Sequence, residues 1–341
     1  MNVQRTVTAD RGDTGRRLDL VVRRHLSDLH DATRTRVQAW IENGLVTVNG
    51  AAVSRVASRA ALGDVVTITL PETAPRTAME AEAIRLDVLY EDDRLMAVDK
   101  LAGMVVHPTY KHATGTVMNA LAWHARDWPP PQRPSLVNRL DKLTSGIVIV
   151  AKTREVHAEL QRLMTSRQSE KRYLALVYGR VKVASGHIDL RLQRAPSDRR
   201  KVVASTTSGA PSVTLFDRLA RVAAPRAGLT LLRCRLATGR THQIRVHLAA
   251  RGWPLVGDPV YGTPRWNQVT APALRSALKA FSRQALHAWQ VSFPHPATGR
   301  PLFLEAPVPE DLRRLLTECR LAPDPGHVLG HFEGPGVADF D

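Results

Sequence analysis

Apolar residues along this chain recur with two different periods, and the switch between them marks the elements. Leu18, Val21, Val22 and Leu26 stand three or four positions apart, which predicts a helix with one buried face. Thr33 precedes a second such run, with Val37, Trp40 and Ile41 on its apolar side. A hydroxyl there can cap the first turn, and Asn43-Gly44 stops the helix. The period then falls to two. Residues 45–48 lead into Asn49-Gly50, a pair that favours a tight hairpin turn, and residues 63–70 (G-D-V-V-T-I-T-L) alternate as a strand. Together these predict a compact unit over residues 15–73. A polar, loose segment at 1–14 precedes it and an alanine-rich linker at 74–84 follows.

A larger unit is expected over residues 85–320. It opens with two strands around the acidic turn at 91–93, and residues 114–126 suit a helix. Residues 135–152 give strand, polar turn and strand. An amphipathic helix over 154–167 turns Leu160 and Leu163 inward. K-R-Y-L-A-L-V-Y-G (171–179) reads as a strand. Residues 193–212 are basic and rich in Ser, Pro and Gly, the composition of a mobile surface loop. L-T-L-L-R-C-R-L (229–236) is a strand with Cys234 on its buried face, leading into a capped helix that Gly252 ends. The tail at 321–341 has the Pro/Gly content of disorder. Strands and helices do not alternate regularly, which argues against a doubly wound parallel sheet. The expectation is an α+β chain with a mixed, largely antiparallel sheet and flanking helices.

Composition narrows the partners. Lys+Arg total 48 against 32 for Asp+Glu, a formal charge of +16 that favours polyanions. Only 8 of those basic residues are lysine; guanidinium forks suit phosphates and base edges, though GC-rich coding gives the same skew. Aromatics are 5% of the chain, so stacking on bases must rest on a few rings. Two cysteines exclude a disulfide framework or a cysteine zinc site. The first ten residues lack the apolar core of a signal peptide, and no apolar run approaches the roughly 18 residues needed to cross a bilayer. A cytoplasmic protein is expected, with no membrane partner.

The candidate chemistry centres on V-N-R-L-D-K-L-T-S-G-I-V-I-V-A-K-T (137–153). Asp141 lies in a polar turn between apolar strands, two residues after Arg139. Alone, it is an ordinary turn aspartate bonding nearby amides. His107, His242 and His247 invite a metal reading, but His242 and His247 are five apart and no carboxylate joins them at ligand spacing, so no metal is expected.

The whole segment resembles the signature of RluA-type pseudouridine synthases, H-R-L-D-x-x-T-S-G followed by a strand and A-K-T. Arg139, Leu140, Asp141, Thr144, Ser145, Gly146, Ala151, Lys152 and Thr153 match, and Asn138 replaces the usual histidine. L-D-V-L-Y-E-D-D-R-L-M-A-V-D-K, K-R-Y-L-A-L-V-Y-G, G-R-T-H-Q-I-R-V-H-L, G-D-P-V-Y-G and R-Q-A-L-H-A follow the family order across roughly residues 85–315. The likeness is strongest to the RluD-like branch. It implies a central cleft where a uridine flipped out of structured RNA becomes pseudouridine, with no redox step and no cofactor. It implies Asp141 as nucleophile, Arg245 paired with it, and Tyr173 against the base with a share in proton removal. Ile244 would be an apolar wall and Thr144 a support. Arg139 would fill the vacated stack or hold a phosphate, and His107, Arg240 and His242 would touch RNA. An ionised Asp141 is required, and a neighbouring guanidinium favours that form.

Residues 15–73 resemble the alpha-L RNA-binding fold shared with a small-subunit ribosomal protein. Arg34 and Arg36 take the helix start that meets RNA in that family. The implied partner is structured RNA, large-subunit ribosomal RNA foremost, bound by a monomer. A transfer-RNA or dual-substrate enzyme, and a non-catalytic ribosome-assembly factor, are the alternatives. A-K-T rather than T-N-D after the strand disfavours the small-subunit branch of these enzymes.

Overall fold

A computed structural model describes residues 3–26, 29, 32–71, 80–109, 112–198, 200–222 and 228–321. Most of the expected linker at 74–84 and nearly all of the tail at 321–341 lie outside them. The chain divides into two compact units, Met1–Ala78 and Met79–Asp341.

The first unit contains β1 (Val3–Thr8), α1 (Leu18–His25), α2 (Arg34–Glu42), β2 (Val46–Val48), β3 (Ala51–Ala52) and β4 (Val65–Leu70), with the sheet ordered β1-β4-β2-β3. Leu18, Val22 and Leu26 of the first apolar run pack with Val37, Trp40, Ile41, Val66 and Ile68 in one core. The Thr33 hydroxyl accepts the Arg36 amide at 3.4 Å, capping α2. Asn49 and Gly50 both take positive φ, 53° and 83°, the backbone a two-residue hairpin turn of this hand demands. The loose N-terminus expected at 1–14 is corrected. Val3–Thr8 pairs with β4 along its whole length, from Val3↔Leu70 to Thr8↔Val65. The β-branched alternation V-Q-R-T-V-T suits a strand, and β4 would otherwise present an open edge.

The second unit contains β5 (Asp87–Glu91), β6 (Leu95–Lys100), α3 (Val117–His124), β7 (Ser135–Leu136), β8 (Ser145–Ala151), α4 (Arg154–Thr165), β9 (Glu170–Tyr178), β10 (Ser185–Asp189), β11 (Arg191–Arg194), β12 (Val202–Ser205), β13 (Val213–Val222), β14 (Leu229–Leu236), α5 (Gln243–Ala250), α6 (Pro272–Ala280), β15 (Leu286–Pro294), β16 (Pro301–Glu305) and α7 (Glu310–Glu318). Ten strands form one sheet, ordered β10-β13-β14-β9-β15-β8-β6-β5, with β16 beside β15 and β7 beside β8. The β15–β8 pairing is parallel and the other described pairings of this sheet are antiparallel. The sheet is mixed and largely antiparallel, as its irregular alternation predicted.

Helices cover both faces. Leu160 and Leu163 of α4 pack on Ile147 and Ile149, while Val117 and Leu121 of α3 pack on Val148 and Val150. Every residue of β8 is therefore buried. Farther along, Ile244 and Leu248 of α5 meet Ala175, Val177, Leu232 and Cys234. α6 and α7 cover Leu176, Leu229 and Leu231 on the opposite side. Gly146 allows the parallel pairing at the centre: its φ is 110°, and a Cβ there would lie 2.2 Å from the Ala288 carbonyl oxygen.

Residues 193–212 are only in part the loop their composition suggests, because 193–194 and 202–205 lie in paired strands. β11 and β12 form a hairpin with register Arg191↔Ser205 to Arg194↔Val202, and Leu192 and Val202 pack on Val246 of α5. Two apolar side chains on one face suffice to dock an otherwise polar segment. No described helix is long and apolar enough to cross a membrane.

Candidate active site

Asp141 sits in the turn that feeds β8, closed by the Thr144 amide donating to the Asp141 carbonyl at 3.0 Å. A buried Thr144 hydroxyl accepts from Gln284 Nε2 at 3.0 Å, so a distant segment pins this turn. Lys100, at the end of β6, pins it from another side. Its buried Nζ donates to the carbonyls of Leu101, Met104 and Lys142 at 2.8, 3.0 and 3.2 Å. Burial pushes the Lys100 amine down to about 7, against the opposing pull of the Asp141 charge.

Arg245 comes from α5 and is 5% exposed. Its Nη1 donates to Asp141 Oδ2 at 2.7 Å. Its Nε and Nη2 donate to Asp258 Oδ2 and Oδ1, both at 2.8 Å, a bidentate fork. Asp258 Oδ1 also accepts the amides of Val260 and Tyr261 at 2.9 and 3.0 Å. Burial alone would raise Asp258, but Arg245 and these amides outweigh it and hold the carboxyl below its ordinary range. Burial likewise disfavours the charged Arg245, and the two carboxylates reverse that. One guanidinium thus bridges two carboxylates. Gly257, next to Asp258, lies close against the backbone at Phe281 and Arg283: its φ is 70°, and a Cβ there would lie only 2.1 Å from the Arg283 carbonyl oxygen.

Asp141 is left half-used. Its side chain is 25% exposed, and Oδ1 makes no hydrogen bond with a described residue. The nearest cationic candidate is His242 Nε2 at 3.7 Å, beyond hydrogen-bond range. His242 is the residue before α5 and takes left-handed φ 57°, ψ 17°. The helix over 239–252 was expected to be capped, yet this position provides no side-chain cap. Instead the Gln243 side chain accepts the Arg240 amide at 3.0 Å.

Tyr173 lies on β9 with its half-buried ring backed by the Ile244 cluster. Burial, and then the Asp141 charge, raise its hydroxyl above the ordinary tyrosine value. At neutral pH it therefore keeps its proton and offers a ring face rather than a phenolate. Ile244 is buried with Ala175 and Leu248, a backing for Tyr173 more than an open wall.

Other expected residues are placed differently. Arg139 is exposed and pairs with no described residue. His107 is exposed too; partial desolvation and the nearby Arg139 charge lower its pKa. Arg240 is exposed. His247 faces the Leu190 carbonyl at 3.3 Å, turned to a different partner from His242. In the first unit, Arg34 is 58% exposed with Nε 3.7 Å from the buried Asp19 carboxylate, and Arg36 is half-buried. Asn138 bridges β8 instead of touching the carboxylate. Its Nδ2 donates to the Ile147 carbonyl at 3.1 Å and its Oδ1 accepts the Ile149 amide at 2.7 Å.

Sequence reasoning gave no role to Asp258, Tyr261, Lys100 or Gln284. Asp258 and Tyr261 stood in the quoted G-D-P-V-Y-G, and a lysine closing an apolar strand was the signal for Lys100.

The family model described as RNA pseudouridylate synthase matches residues 94–250. Ribosomal large subunit pseudouridine synthase D of Nitrosomonas europaea is 40% identical over 291 residues, covering 85% of this chain and 81% of its own. An uncharacterized RNA pseudouridine synthase of Bacillus subtilis, YlyB, is 38% identical over 317 residues, covering 92% and 97%. The solved human RNA pseudouridylate synthase domain containing 4 shares the fold at TM-score 0.54 and 23% identity, covering 69% of this chain and 93% of its own. On this similarity across most of its length, the chain belongs to the RNA pseudouridylate synthase family.

Proposed function

We propose that this protein isomerises specific uridines of large-subunit ribosomal RNA to pseudouridine, with Asp141 as the attacking carboxylate. The observation that carries the reading is the asymmetric carboxylate: Arg245 holds Oδ2 at 2.7 Å, while Oδ1, on a side chain 25% exposed, has no hydrogen-bond partner among the described residues. A preorganised carboxylate with one free oxygen can attack a flipped nucleotide without first shedding a partner. The glycosidic carbon–nitrogen bond breaks, the base turns, and a carbon–carbon bond forms; the ring-carbon proton is lost and the ring nitrogen gains one. Tyr173 packs on the turning base, with Ile244 behind it. Arg139, exposed and without a partner among the described residues, occupies the space the base leaves or binds its neighbouring phosphate. His107, Arg240 and His242 line the approach of the RNA.

The first unit acts as an alpha-L module whose Arg34 and Arg36 contact phosphates at the start of α2. Relatives carrying the large-subunit name, and the charge of +16, support ribosomal RNA as substrate. The enzyme is read as a monomer acting in the cytoplasm. The test is chemical mapping of pseudouridine on transcribed large-subunit RNA treated with the purified protein. New pseudouridine at discrete uridines is expected. Conversion of transfer RNA alone would redirect the substrate, and no conversion of any RNA would reject the enzyme reading.

A further inference from the structure

Tyr261 joins three parts of the site that the family signature does not connect. Its hydroxyl accepts the amide of Val202, on the docked hairpin, at 2.9 Å. The same oxygen lies 2.8 Å from His242 Nδ1. Its ring meets the His242 ring edge-on at 5.6 Å and carries the Arg245 guanidinium over its face at 5.0 Å. Its own amide is held by Asp258.

The hydrogen count decides what passes between Tyr261 and His242. A phenol has one proton to donate, and the Val202 amide can only donate. The oxygen therefore accepts from Val202, and its proton is left for His242 Nδ1; no other acceptor for it lies among the described residues. An Nδ1 that accepts places the imidazole proton on Nε2, the atom 3.7 Å from Asp141 Oδ1. A protonated ring would need Tyr261 to accept twice and strand its own hydrogen. His242 is further fixed by its left-handed backbone, uncommon for a residue with a side chain. The charged groups facing the ring are Asp141, Arg245 and Asp258.

We infer that Tyr261 is a positioning residue that holds His242 neutral, with its proton on Nε2, and that seating of the β11–β12 hairpin through Val202 sets this state. A neutral ring leaves Asp141 Oδ1 nucleophilic, whereas a histidinium at that place would pair with it and quench it. The hairpin is thereby coupled through two hydrogen bonds to His242, whose Nε2 lies 3.7 Å from the reacting carboxylate. This inference rests on Asp141 as the attacking group.

Long-range proton–nitrogen NMR on the full-length, histidine-labelled protein tests the tautomer without any RNA. Near neutral pH, His242 Nδ1 should give the signal of an unprotonated acceptor and Nε2 that of a protonated nitrogen. A protonated Nδ1 overturns the inference, whether or not the protein converts RNA. Tyr261→Phe should then populate both tautomers. It should lower kcat about 3- to 10-fold with RNA affinity kept within about 2-fold, the size expected for one hydrogen bond. The loss should be larger at about pH 6 than at about pH 8, because the ring now protonates more readily. An unchanged kcat in a folded variant rejects the positioning role. If that variant does not fold, the wild-type nitrogen signals still decide.

Discussion

Arg245 touches two carboxylates, and they live in opposite surroundings. Asp258 is 1% exposed, gripped by a bidentate fork and two backbone amides. Asp141 is 25% exposed and held through one oxygen by a single contact. The cation is shared, so the difference lies in what else surrounds each group. At Asp258 both oxygens are taken, Oδ2 by one donor and Oδ1 by three, which makes a fixed anchor. At Asp141 an oxygen is left over, which makes a reagent. The anchor orients the arginine, and the arginine orients the reagent.

Removing the shared arginine should have the largest effect. Arg245→Gln leaves Asp258 buried without its partner and Asp141 without its guide. Conversion should fall by roughly 10³-fold or more in single-turnover assays, and stability by about 3–5 kcal/mol in denaturant titration. A variant as stable as wild type would show that the fork does not anchor the site. Asp258→Asn separates the two ends. Stability should again drop by about 3 kcal/mol, whereas Asp141→Asn should cost under about 1 kcal/mol. Equal thermal shifts in those two variants would erase the distinction between anchor and reagent.

A third carboxylate sharpens the contrast, because it faces another acid instead of an arginine. Asp99 lies opposite Asp87 across β5 and β6. Burial, and then the Asp87 charge, raise it to about 6. A carboxyl whose folded pKa is raised stabilises the fold while protonated, and that contribution is lost as pH rises through about 6. Asp99→Asn should therefore gain stability over wild type at pH 8, by about 1 kcal/mol after allowing for its partial exposure, and little once the pH is below the ordinary value of 3.8. Melting curves at pH 8 and in acid check the sign; a gain confined to the acidic side would contradict it.

Local rules recovered the elements whose stability is local. The spacing of Leu18, Val21, Val22 and Leu26 predicted α1, the Thr33 hydroxyl caps α2, and Asn49-Gly50 turns the hairpin where its backbone preference said it should. What escaped depends on distant partners. β1 forms because β4, some sixty residues on, accepts it. The β11–β12 hairpin reads as a loop until Val246 supplies a surface for Leu192 and Val202. The centre follows the same rule. Asp141 and Arg245 are 104 residues apart, and no periodicity links them; the family resemblance did. Asp258 and Tyr261 stand in G-D-P-V-Y-G, but their roles appear only once the fold brings them to Arg245 on α5.

The most direct test is single-turnover conversion by wild type and by Asp141→Asn, on the same RNA and with binding measured in parallel. Asparagine keeps the shape and removes the nucleophilic charge. The prediction is no detectable pseudouridine from the variant, with RNA affinity within a few-fold of wild type. Pseudouridine formed by Asp141→Asn at a rate near that of wild type would contradict the assignment of this carboxylate as the attacking group.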